Sequence, residues 1–138
     1  MAYLRIILLA STIVLSTKAF AQNEIDRLVD HYSTMGSSTF TSAVERDPKT
    51  HKIVKTVKTL KTRGHDIGEI KNAFERESHT GNFSKKKEDD KTKMVLTVQT
   101  EKANRVYMLT YSSSGHSFHE GKATIIVKVR NALKKEQE

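Results

Sequence analysis

Residues 116–120, His116-Ser117-Phe118-His119-Glu120, are the densest group of potential ligands and proton carriers in the chain. Two imidazoles and a carboxylate this close could hold zinc or another divalent cation, because neutral imidazole is a good metal ligand. The spacing differs from the helical zinc motif, which sets two His four apart around a Glu. Here the histidines are three apart between Gly115 and Gly121, as in a hairpin loop. No Gly-x-Ser-x-Gly nucleophile elbow occurs, and the run 112–114 of serines reads as a turn. Glu88, Asp89 and Asp90 sit between Lys87 and Lys91, which describes a solvated loop rather than a buried acid with a raised pKa. These patterns point away from an enzyme and assign no cofactor.

A second group suits binding. Lys52, Lys55, Lys58 and Lys61 recur at every third residue, a period that alternates sides on a pleated strand. Lys55 and Lys61 would then share a face, joined by Arg105 or Lys128, as a mild anion-binding surface. Lysines in such places also blunt an edge strand against aggregation. Tyr107, Leu109 and Tyr111 fall on one side of their strand, opposite Val106 and Met108. If helices cover one face of the sheet, one of these sets is partly exposed, and exposed tyrosines make good binding anchors.

The elements that must position these residues follow from periodicity. Asn23 reads as a helix N-cap, and Ile25, Leu28, Val29, Tyr32 and Met35 form one apolar stripe that Gly36 ends. Glu24, Asp26 and Arg27 then fall on the wet side. Residues 38–46 and 51–62 read as strands joined by a turn at Asp47-Pro48-Lys49-Thr50. After Gly64-His65 a second helix opens at Asp66, with Glu69 completing a capping-box-like pair and Ile67, Ile70, Ala73 and Phe74 on one face. Residues 79–92 read as a long polar loop or hairpin end. Met94, Leu96 and Val98 alternate with Val95, Thr97 and Gln99; residues 105–111 return the chain, and a last strand spans 122–130. The order is α-β-β-α-β-β-β: an α+β two-layer sandwich with about five mostly antiparallel strands and two helices on one face.

The N-terminus reads as an address. Arg5 precedes an apolar run over residues 6–15, and Ala19-Phe20-Ala21 sets small residues three and one positions before Gln22. That is the layout of a secretory signal peptide over 1–21, cleaved between Ala21 and Gln22. The run is too short for the roughly 20 residues of a permanent membrane anchor. Residues 22–138 are then one domain, with 134–138 a frayed tail, exported to the periplasm or beyond.

The segment carries Arg5 and Lys18 and no acid, so its removal lowers the net charge from +8 to +6. This charge favours anionic surfaces, and export removes nucleic acid from the expected partners. The chain contains no cysteine, which excludes thiol catalysis, zinc thiolates, disulfides and a lipid anchor on a leading Cys.

The chain resembles the small exported domains of unknown function common in Gram-negative gut commensals. The likeness lies in the Ala19-Phe20-Ala21-Gln22 junction, the Ile25-Asp26-Arg27-Leu28 helix, and the Lys/Thr-rich hairpin before a second helix. It implies location and fold class, and carries over no functional residues. The expectation is a non-catalytic module that binds a protein or anionic surface glycan through an open sheet face. The alternatives are a metal-dependent or hydrolytic enzyme built on His116, His119 and Glu120, and a structural envelope component.

Overall fold

Helix α1 (Glu24–Ser33) begins where a reciprocal cap can close. The Asn23 side chain accepts from the Asp26 backbone N–H at 2.9 Å, and the Asp26 carboxylate accepts from the Asn23 N–H at 3.2 Å. Two otherwise orphaned donors are thereby satisfied. The computed structural model describes residues 23–130. The expected leader, the junction of Ala21 with Gln22, and the tail 134–138 lie outside the described residues.

A hairpin of β1 (Thr39–Arg46) and β2 (Ile53–Arg63) follows. Asp47 shapes its turn by accepting from the N–H groups of Lys49 and Thr50 at 2.7 and 3.2 Å. Helix α2 (His65–Glu77) comes next and runs into a short 3₁₀ turn, Ser78–Thr80. The capping box read at Asp66 and Glu69 does not form. Gly64, at φ 65°, is the N-cap and supplies no side chain. Asp66 instead accepts from the Thr62 hydroxyl at 3.0 Å, and Glu69 lies 3.3 Å from His65.

The chain then runs through β3 (Asn82–Glu88), β4 (Lys91–Gln99), β5 (Ala103–Ser114) and β6 (Ser117–Val129). Strand β3 occupies the stretch expected as a loop, so the described sheet has six strands. The serine run also belongs to a strand. β5 continues to Ser114, the turn falls at Gly115 with φ 59°, and Phe118 packs edge-on to Tyr111 with centroids 5.6 Å apart.

The sheet order is β1-β2-β6-β5-β4-β3, and every neighbouring pair is antiparallel. The fold is thus α+β, with both helices on one face. The last strand closes the sheet by entering between β2 and β5. Ile25, Leu28, Val29 and Tyr32 of α1 and Ile67, Ile70, Ala73 and Phe74 of α2 make one core with Leu60, Met94, Leu96, Leu109, Ala123 and Ile125 of the sheet. Two glycines permit close packing. A Cβ on Gly121 would strike Ile67 of α2, and one on Gly81 would strike the Thr97 carbonyl.

Candidate functional site

The two sheet faces separate the residues singled out in the sequence. Tyr107, Leu109 and Tyr111 lie beneath the helices at 1%, 0% and 4% exposure. They are core, not binding anchors, because their parity on β5 matches the buried residues of β4 and β6: Leu96 lies opposite Tyr107, and Ala123 opposite Leu109. Arg105 shares that parity, so it does not join Lys55 and Lys61.

Arg105 instead meets Asp26. The Asp26 carboxylate is 7% exposed, contrary to the wet placement expected from the helix pattern. Its Oδ2 accepts from the Tyr107 hydroxyl at 2.9 Å and from Arg105 Nη1 at 3.2 Å. Burial pushes this carboxyl above the usual aspartate range, opposed by the Tyr107 hydrogen bond and the Arg105 charge. Burial, reinforced by the charge of Asp26, pushes the Tyr107 hydroxyl up to about 12. The cluster ties α1 to the sheet.

At the β5–β6 turn the three candidate ligands His116, His119 and Glu120 stand apart. His116 is exposed at the tip, His119 Nε2 lies 2.8 Å from the Ser114 hydroxyl, and Glu120 pairs with Arg63 at 3.8 Å. Residues 119 and 120 sit in an irregularity of the pairing: Gly121 lies opposite Tyr111, but Phe118 already lies opposite Ser113. Among the described residues no three His, Asp or Glu side chains gather in a metal-holding group. Among the described residues no carboxylate is hydrogen-bonded to the His119 ring, so its contact with Ser114 is a pair without the third member of a hydrolytic triad.

The face away from the helices carries the cations. Lys55 lies opposite Lys128, and Lys61 opposite Lys122, all on this side, while Lys58 turns to the helices and pairs with Asp30 at 3.3 Å. Register extends the second pair into a straight row across the sheet: Thr39, Lys61, Lys122, Thr110, Lys93, Lys86. Lys61 directly faces Lys122, and Lys93 directly faces Lys86. Lys86 pairs with Glu88 at 2.9 Å, whereas among the described residues no carboxylate lies within ion-pair distance of Lys61, Lys122 or Lys93.

Beside this row the face sinks into a depression of about 600 Å³, lined by Lys61, Lys122, Lys91, Arg63, Ser112 and Glu120 among others. Between the row and the pair of Lys55 with Lys128 runs a band of Val57, Ile126, Val106, Met108 and Val95 with threonines. Lys122, Lys93 and Lys86 were missed in the sequence because only strand register aligns them.

A model of the domain of unknown function DUF5024 matches residues 22–126. The chain belongs to this family. Among curated proteins, none matches it. Within the DUF5024 domain described, no helix is long and apolar enough to cross a membrane.

Proposed function

We propose that this DUF5024 domain is a non-catalytic module, working outside the cytoplasm, that binds an anionic surface glycan on its open sheet face. The observation that carries the reading is the two directly opposed lysine pairs of one cross-sheet row, Lys61 with Lys122 and Lys93 with Lys86. Like charges facing each other across strands cost stability, and for Lys61, Lys122 and Lys93 no described carboxylate offsets that cost. An anionic ligand would relieve it.

Protein interfaces are depleted in Lys and enriched in Tyr, Trp and Arg. The row itself offers lysine and threonine beside the band of Val57, Ile126, Val106, Met108 and Val95, and every described phenylalanine and tyrosine ring lies in or against the core. That composition favours a polyanionic carbohydrate over a folded protein. The export part of the reading rests on the leader-like pattern of residues 1–21 in the sequence.

The test is titration of the mature chain with heparin, polygalacturonate and neutral dextran at low and high ionic strength. Binding to the two polyanions that weakens as salt screens surface charge is expected. Affinity indifferent to salt, or equal for dextran, would overturn the reading.

A further inference from the structure

We infer that the ligand is a linear polyanion that lies at right angles to the strands along Thr39, Lys61, Lys122, Thr110, Lys93 and Lys86, with one anionic group seated in the adjoining depression. This rests on the open-face reading above and adds the track, the ligand's shape and its minimum length.

Neighbouring strands are about 4.8 Å apart, so the row from Lys61 to Lys86 extends about 19 Å in a nearly straight line. A chain with charges at regular intervals matches such a line, whereas an isolated anion would use only one end. Four of the six side chains are cations, and the other two, Thr39 and Thr110, carry hydroxyls that both donate and accept, as sugar hydroxyls require.

The depression continues the row: Lys61 and Lys122 line it together with Lys91 and Arg63. Glu120 also lines it but already pairs with Arg63 at 3.8 Å. Single-stranded nucleic acid is disfavoured because its binding surfaces stack bases on aromatic rings, and the described phenylalanine and tyrosine rings all lie in or against the core.

The other end of the face lacks such a track. There Lys55 faces Lys128, but Glu45 lies opposite Lys55 on the outer side, and Asn104 and Gln99 continue the row. Six residues of strand, about 20 Å, separate the two lysine pairs.

This supplies a matched comparison. Lys61→Gln with Lys122→Gln, and Lys55→Gln with Lys128→Gln, each remove two facing charges from β2 and β6. The probes are size-defined oligomers of heparin and of galacturonate, and urea denaturation verifies folding of both double variants. The first pair should weaken binding roughly tenfold and lower the slope of log affinity against log salt by about two, as counterion release requires. The second pair should leave both nearly unchanged, and Lys93→Gln alone should reproduce part of the first effect. Affinity should rise with oligomer length until about 19 Å is spanned, then level off.

Equal losses from the two double variants would overturn the track while leaving the open-face reading intact. Wild-type chain that binds neither oligomer series would overturn both. Tighter binding of polyglutamate or single-stranded DNA than of the sugar oligomers would overturn the ligand class.

Discussion

The Tyr107 hydroxyl donates a 2.9 Å hydrogen bond to the carboxylate of Asp26, so a side chain in the middle of β5 fixes the first turn of α1. The same Oδ2 also receives Arg105 and the backbone N–H of Asn23. Helix cap, sheet and charge pair therefore share one oxygen. Tyr107→Phe removes one donor and should cost about 1 kcal/mol, the usual net worth of a hydrogen bond. Asp26→Ala also opens the cap and strips Arg105 of its partner, and should cost about 2–3 kcal/mol. Urea denaturation measures both, and equal losses would contradict the shared-oxygen arrangement.

Alkaline stability follows from the same phenol. With the folded hydroxyl pushed up to about 12, the unfolded chain ionises first as pH rises past the ordinary value of 10.0. The unfolded state then binds fewer protons. The contribution of Tyr107 is complete below pH 10 and is lost as pH rises toward 12, at about 1.4 kcal/mol per pH unit. Tyr107→Phe should lose this part of the alkaline slope, which melts taken across that range will reveal.

Gly121→Ala should destabilise by about 1–3 kcal/mol, because an added methyl in a filled core forces neighbours aside. The methyl would strike Ile67, the contact that seats α2 on β6. Pairing with Ile67→Val should recover part of the loss in a double-mutant cycle.

The lysine row sets stability against binding. Lys122→Glu places a carboxylate opposite Lys61 and should stabilise the fold by about 0.2–1 kcal/mol, the range for cross-strand charge pairs. The same variant should lose affinity for polygalacturonate. A variant less stable than wild type, or one that binds as well, would contradict this account of the row.

At the β5–β6 turn, His116→Ala should shift stability by no more than about 0.5 kcal/mol, as for an exposed substitution. Zinc addition or chelation should leave the melting temperature unchanged, since binding to the folded state alone would raise it. A zinc-dependent rise that vanishes in His116→Ala would restore the metal reading.

Much of this architecture could be read from periodicity, and the exceptions share a cause. The stripe of α1 as far as Tyr32, that of α2 and the alternation of β4 have one buried side, which prints a regular pattern, while Met35 lies past the helix end and is exposed. Strand β3 is an edge exposed at nearly every position, so Ser84 through Glu88 show no alternation. Phe83 and the turn at Asp89-Asp90 were its remaining clues. Asp26 reads as a surface residue because its burial depends on Tyr107, 81 positions away. Its spacing from Asn23 did hold the signature of a capping box. For the candidate site, period two placed Lys55 and Lys61 together, but joining Arg105 to them failed, because the same period along β5 sets Arg105 on the covered side with Tyr107. The neighbours Lys122, Lys93 and Lys86 required strand register, which no single segment encodes.

Strand β6 is the keystone of the sheet, and it is also the last of the described strands. The hairpin of β1 with β2 and the meander through β5 cannot join until it arrives, with Lys55 meeting Lys128 across most of the domain. Such distant pairing slows folding. A nascent or threading chain would thus stay pliable until β6 had emerged, and a chain cut just before β6 should hold a separate hairpin and meander with raw edges rather than a smaller version of the whole.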